Sequence, residues 1–553
     1  MRKVILHYLF NILLLLLFTN SYSQNGDYEY LIGASGDESN YACYKTFDNG
    51  YILTGLTNSS GAGEGDIYLL KLDSAFNIEW AKTFGGPLSD FAEHIQQTAD
   101  SSFVIFGTTQ SFGAGGLDCY IIKTDQQGNL LWSKTYGGAD DDKVIKGLVL
   151  NDGSILLPAF TNSFGAGGDM MLIKLDVNGD TLWTRIIGGA DFDFATSVNL
   201  VNNGNYIFSG RSISYGAGNR DAVLLETDSN GNLQWMKTYG TLNLEEAMYV
   251  RQTMDNGFII TGDRALLGFY HDALLMKTDS AGNLQWAKEY GGDKVDATYN
   301  VLQLPDSGFA MVGFTDSYAS LAVRFENPNS ILGDDSSHVL LIRTNQTGDT
   351  IFSRAYGGSL GDEAYSIEMT NNGGFLIGAY SFSFSGNDSS DIYVIKTDSN
   401  GISDCHTKFI SPVITNLSFS SSNVFPSITS GVIVNNAPTI SGNPILANTD
   451  PCIPVSIFNS HTKKLKIQIF PNPFSYDATL SFPALENSVK NAYLTIYDLS
   501  GRILKNTIVS ENELSSGNLK ISSDGLVNGV YFFELKINSE YPLCGKFIIT
   551  DKE

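Results

Sequence analysis

Five tryptophans frame this chain: Trp80, Trp132, Trp183, Trp235 and Trp286 recur at intervals of 51 or 52 residues. Each opens a Trp-x-[Lys/Arg]-x-x-Gly segment, as in Trp80-Ala81-Lys82-Thr83-Phe84-Gly85. Tyr28 stands 52 residues before Trp80 and Phe352 stands 66 after Trp286, each with Gly five residues on. The chain therefore carries seven copies of one unit. A period of this length marks units that bury their apolar faces only by stacking on neighbours, as in propellers and solenoids.

Within a copy the pattern is that of strands. Asp221–Asp228 and Leu233–Trp235 are β-rich runs on either side of Ser-Asn-Gly-Asn, the mark of a hairpin. Val250–Met254 and Phe258–Gly262 flank Asp255-Asn256-Gly257 in the same way. Four short strands in each of seven copies predict an all-β fold, a seven-bladed β-propeller of four-stranded blades. A solenoid is the rival, but it calls for terminal capping repeats, which the sequence does not display. The first aromatic run, Asp27–Gly33, has no hairpin partner, and the last copy stops short after Asp391–Asp398. These two runs are expected to pair and tie the ends of a ring together. Over Tyr28–Cys405 the repeat resembles the roughly 50-residue propeller repeats of secreted bacterial proteins. Its Thr-Asp-x-x-Gly-x-x-x-Trp hairpin also resembles the Asp-box turn of sialidases, at a different spacing, so no sialidase chemistry is carried over.

The two ends read as addresses. Arg2 and Lys3 precede an apolar run, and Ser21-Tyr22-Ser23 provides small residues before Gln24. Residues 1–23 are thus a signal peptide cleaved between Ser23 and Gln24. The apolar run is too short for a membrane anchor, no later segment could span a bilayer, and no Cys at the cleavage point offers a lipid anchor. The propeller then occupies 24–405. A Ser/Thr/Asn/Pro-rich stretch, 406–466, reads as a linker. Cys405 and Cys452 bracket it, and an exported chain can join them in a disulfide. From 467 to 553 the composition changes again. Pro471-Asn472-Pro473, the Tyr497-Asp498-Leu499-x-Gly501 turn, the strand holding Gly529 and Tyr531, and the terminal Lys546-Phe547 follow in order. This segment resembles the type A sorting domain of type IX secretion substrates. The resemblance implies a small immunoglobulin-like β-sandwich, the type IX machinery as partner, and a final place in the medium or on the surface of a Gram-negative bacterium.

Net charge is −25, with no Lys/Arg cluster of the kind a nucleic-acid partner needs. One acid recurs ten residues after each copy's aromatic: Glu38, Asp90, Asp142, Asp193, Glu245, Asp296 and Asp362. These are expected to be structural, as salt bridges or caps on the Gly-Gly turn; the sharper alternative is a cation-binding ring. No His/Cys spacing fits a metal site, and no cofactor motif or catalytic constellation is evident. The sixth copy is longer, with extra residues in about 316–337. Because insertions in repeats map to loops, often on a binding face, Tyr318, Arg324, Phe325, Glu326, Asn327, Asp334 and Asp335 are candidate ligand-binding residues. The function expected is that of a non-catalytic surface or secreted module binding glycan or protein. The alternative is a secreted carbohydrate-active enzyme using two of its many carboxylates.

Overall fold

The structure is a computed structural model. It describes residues 29–550 except 266–270, 319–336, 385–388, 404–405, 450–467, 471–474, 482–491, 498–502, 538–542 and short breaks within 425–446 and 511–517. The chain divides into two compact units, Met1–Ile453 and Pro454–Glu553. Both are all-β and antiparallel.

Among the described residues the first unit holds seven sheets, six of them built from strands consecutive in the chain and completed at one edge by a later strand. The first sheet runs Glu38–Lys45, Tyr51–Thr57, Asp66–Leu72 and Ile78–Gly85. The same order repeats through the second (from Asp90), third (from Asp142), fourth (from Asp193), fifth (from Leu244) and sixth (from Asp296). The seventh takes Asp362–Met369, Phe375–Ser381 and Asp391–Lys396 from its own copy and Glu29–Gly33 from the start of the chain. Glu29 pairs with Ile395 and Ile32 with Ile392, so the expected tie between the two ends is present.

Each sheet packs face to face on the next, and the seventh packs on the first. An apolar cluster fills each of the seven junctions; Ile52, Ile67, Ile105 and Ile122, for example, meet between the first and second sheets. The repeated tryptophan serves these junctions. A Cβ on Gly128 would sit 2.6 Å from the Trp80 ring, and one on Gly179 would sit 2.9 Å from Trp132. The hairpin glycine, held at φ +74° in Gly128, is therefore required twice: for its backbone conformation and for the aromatic of the preceding copy. The base two residues after the tryptophan reaches the same turn, as Lys134 does to Asp180 at 2.6 Å.

The segment expected to be a linker folds differently. Residues 408–449 supply seven short strands, one for the outer edge of every sheet. Lys408–Phe409 joins the sixth sheet, Val413–Leu417 the fifth, Ser420–Asn423 the fourth and Ser427–Thr429 the third. Ile433–Asn436, Ile440–Gly442 and Ala447–Thr449 then join the second, first and seventh. The segment is a belt that visits the sheets in reverse order. Its Pro and Ser/Thr/Asn content suits short edge strands, where Pro is tolerated and long apolar edges are a liability. Low charge and high Ser/Asn content hid those strands, because edge pairing uses main-chain groups.

Cys405 and Cys452 lie outside the described residues, as do Ser23 and Gln24. Cys43 and Cys119 are buried and free.

In the second unit, Gln468–Phe470, Asp477–Ser481 and Asn518–Ser522 form one sheet. Ala492–Tyr497, Ile503–Ile508, Gly529–Ile537 and Leu543–Ile549 form another. Leu480, Leu494, Ile521, Tyr531, Phe533 and Phe547 share one core drawn from both. Tyr531 donates to the Val527 carbonyl at 2.6 Å, and Tyr497 to Glu534 at 2.6 Å. Lys546 lies in the last strand, one register step from Tyr531↔Phe547. Pro471, Asn472, Pro473, Asp498 and Gly501 lie outside the described residues.

Candidate functional site

The seven repeated acids are buried, and each turns back onto the loop that leads into its own strand. Asp90 Oδ2 accepts from the Gly86 amide at 2.7 Å and from Ser111 Oγ at 2.7 Å. Asp142 does the same with Gly138 and Ser163, Asp296 with Gly292 and Ser317, and Asp362 with Gly358 and Ser383. Glu38, Asp193 and Glu245 cap Ala34, Gly189 and Thr241. Each carboxylate is thus committed to a main-chain amide four residues before it. Burial pushes several of them up, Asp362 to about 7. Among the described residues no group of three or more His, Cys, Asp or Glu side chains is placed to hold a metal.

Of the residues proposed for the long loop, Arg324, Phe325, Glu326, Asn327, Asp334 and Asp335 lie outside the described residues. Tyr318 occupies a repeated slot: its hydroxyl donates to Gly291 O at 2.8 Å, as Tyr215 donates to Gly188 O at 2.7 Å. Phe112, Phe164 and Phe384 follow the same Ser in other copies. That spacing marks Tyr318 as a repeat residue preceding the insertion.

A different cluster lies where the first strands of the sheets converge. In six sheets the first strand bulges three residues after the repeated acid, leaving Tyr41, Glu93, Thr196, Met248, Tyr299 and Tyr365 outside the ladder. Bulges re-aim a side chain and are frequent beside functional sites. In the third sheet the strand breaks instead, between Asp142–Val144 and Leu148–Val149. Lys146, in the break, reaches across to the Tyr299 carbonyl of the sixth sheet at 2.8 Å and lies 4.4 Å from the Tyr249 ring of the fifth.

Tyrosines dominate one side of this centre. Tyr299 and Tyr365 stack at 4.6 Å, Tyr365 and Tyr380 at 6.0 Å, and Tyr41 meets Tyr365 edge-on at 5.1 Å. Tyr365 donates to Glu363 at 2.8 Å. Burial first, and then the Glu363 carboxylate, raises Tyr299 and Tyr380. Tyr41 is raised by burial, then by the charges of Glu93 and Glu363. Burial pushes Glu93 up to about 7 against the pull of Lys146, and brings Lys146 down to about 7. His94, buried beside Lys146 and Arg251, falls to about 3 and is neutral. Partly buried stacked phenols around a carboxylate can hold a ring-shaped polyhydroxyl ligand: faces for C–H surfaces, edges and acid for hydroxyls. No sequence argument singled these residues out, since the position varies from copy to copy. The signal lay in comparing copies at the third residue after the acid, where three of seven are Tyr.

Known proteins resemble parts of the chain. Residues 468–550 match the secretion system C-terminal sorting domain. A chain with this sorting domain is a secreted or cell-surface protein handled by the type IX secretion machinery. Among the described residues no helix is long and apolar enough to cross a membrane. "Regulatory protein FlaEY" of Caulobacter vibrioides is 22% identical over 401 residues, 62% of this chain and 41% of that protein. The chain thus spans less than half of that relative's length. A solved structure, "Crystal structure of tetra-tandem repeat in extending region of large adhesion protein", aligns over 83% of this chain and 98% of that one. At 11% identity and a TM-score of 0.13, that alignment carries no argument about fold.

Proposed function

We propose that this protein is an exported, non-catalytic binding module: a seven-bladed propeller, residues 24–405 completed by its belt, that binds glycan or a surface protein. The sorting domain, an immunoglobulin-like sandwich from 467, delivers it across the outer membrane of a Gram-negative cell. The observation that carries the reading is the stack of Tyr299, Tyr365 and Tyr380, with Tyr41 and Glu363, at the convergence of the first strands. The test is a glycan array with the mature protein, followed by titration of each hit against Tyr365→Ala and Tyr380→Ala. Loss of a partly buried stacking partner is expected to weaken binding at least tenfold. Unchanged affinity in both variants would exclude this site.

A second reading rests on Glu93 and Glu363. A carboxyl near 7 and a second carboxylate, both acting on Tyr41, have the character of the acid and partner of a glycosidase. Release of reducing sugar by the wild type, abolished in Glu93→Gln and Glu363→Gln, would select the enzyme.

The belt also supports a Cys405–Cys452 disulfide. The His406 amide donates to Glu29 Oε1 at 3.1 Å, and Thr449 pairs with Leu31, so neighbours of both cysteines meet the same strand. Thiol counting on the exported protein should find three free thiols of five. Five free thiols would remove the bond.

A further inference from the structure

The junction between the seventh and first sheets combines three changes in the repeat, the first of them found at no other junction. Elsewhere the turn after the third strand carries glycine at its left-handed position: Gly128, Gly179, Gly231, Gly282, Gly348 and Gly401, at φ between +69° and +79°. In the first sheet the residue is Phe76, at φ +64°. A bulky side chain in that region is strained, and such strain persists only where surrounding contacts hold it. Here Phe76 lies between Tyr30 and Tyr51, stacked on each at 4.5 and 4.4 Å.

Above Phe76 sits Lys396, its ammonium 5.8 Å from the ring. In the first, fifth and sixth sheets the equivalent base pairs with the aspartate of its own first turn: Lys71 with Asp48 at 3.0 Å, Lys277 with Asp255 at 3.0 Å, Arg343 with Asp306. In the seventh sheet that aspartate is replaced by Asn372, which keeps the turn's hydroxyl contact with Thr370 at 2.5 Å. Among the described residues no carboxylate lies within ion-pairing distance of Lys396. A third departure is Lys45. Gln97, Gln252 and Gln303 clamp the main-chain amide of the preceding sheet's turn, at Phe47, Asn202 and Met254. Lys45 takes that place at this junction and instead donates to the Asn371 side chain at 2.6 Å.

Two of these departures line a cleft of about 240 Å³, walled among others by Lys45, Asn49, Asn371, Asn372, Lys396 and Tyr51, the ring stacked on Phe76. In a chain of net charge −25, two ammonium groups facing one small cleft form an unusual concentration of positive charge. The acid on the lining, Glu368, is raised by burial against the pull of Arg251 and Lys45. The amides of Asn49, Asn371 and Asn372 offer donors and acceptors of the kind that sugar hydroxyls satisfy.

We propose that this cleft binds an acidic sugar residue, its carboxylate held by Lys396 and Lys45 and its hydroxyls by the asparagines. The site is independent of the tyrosine cluster, which lies at the convergence of the first strands.

The test titrates the exported full-length protein with glucuronate, and with glucose and inorganic sulfate as separate arms. Saturable glucuronate binding that glucose lacks is expected. Lys396→Met should weaken it at least tenfold. Asn372→Asp restores the ion pair of the sister sheets and so should fold normally, yet it too should weaken glucuronate at least tenfold. Tyr365→Ala should leave glucuronate binding unchanged, which separates this site from the proposed function. No saturable glucuronate binding, equal affinity for glucose, sulfate binding as tightly as glucuronate, or full binding in Asn372→Asp would each overturn the proposal.

Discussion

A single carboxylate shows how repetition converts acidity into structure. Asp90 is fully buried, yet one of its oxygens already accepts a main-chain amide and a serine hydroxyl. Removing the acceptor leaves the buried Gly86 amide and the partly buried Ser111 hydroxyl without that partner, at about 1–3 kcal/mol. Asp90→Ala should therefore destabilise the protein by roughly 2 kcal/mol, read as a shift in urea midpoint. Asp391 gives the opposite lesson. Burial, then Glu38 and Asp37, raises its carboxyl to about 7. A raised acid favours the folded state when protonated, so its contribution is greatest below the unfolded pKa and is lost as pH climbs through 7. Asp391→Asn, which stays neutral, is expected to raise the melting temperature relative to wild type at pH 8 and not at pH 4. Calorimetry at the two pH values decides this. An equal shift at both would mean that charge is not the cause.

The belt is the element whose energetics matter most. Its apolar anchors, Ile410, Leu417 and Val424, are seven residues apart and enter three successive junctions. Seven extended residues reach at most roughly 23–25 Å, and within that reach the belt passes from one sheet's outer edge to the next. The fourth strand of each sheet would otherwise present an open edge. A chain ending at 403 should therefore melt well below one ending at 453, and its fourth-strand amides should exchange faster. Hydrogen exchange resolved to Ile78–Gly85 and its sister strands checks this, and equal protection in the two chains would deny the belt a structural role. Leu417→Ala alone should cost about 1–2 kcal/mol, less than a core leucine because the site is half open.

At the scale of the first unit, each sheet packs on the next, and the seventh-to-first junction joins the last to the first. That junction borrows Glu29–Gly33 from the start of the chain and lies under the last belt strand, at Leu31↔Thr449. Both ends of the unit are thus committed at one place, and closure waits for the whole unit to be synthesised. The sorting domain is a separate compact unit, so its loss should leave the first unit folded. Deleting 471–553 is expected to hold a folded protein in the periplasm. Surface display of that truncated protein, detected by protease shaving of intact cells, would refute a sorting role.

The sequence by itself determined the repeat, the strand count per copy, the end-to-end pairing and the secretory tail. Each of these depends on local, side-chain-encoded signals: aromatic spacing, Asn/Gly turns and the ordered motifs through Tyr497, Gly529 and Tyr531. Only the tertiary structure decided the belt, because edge strands pair through main-chain groups that leave little trace in composition. It also decided the candidate sites. Tyr41, Tyr299, Tyr365, Glu93 and Lys146 are separated by up to 324 residues and differ in chemistry, so no spacing joins them. Likewise Phe76, Lys396 and Asn372 are each unremarkable in their own segment. They acquire meaning only where the seventh sheet closes on the first and each can be compared with its sisters in space.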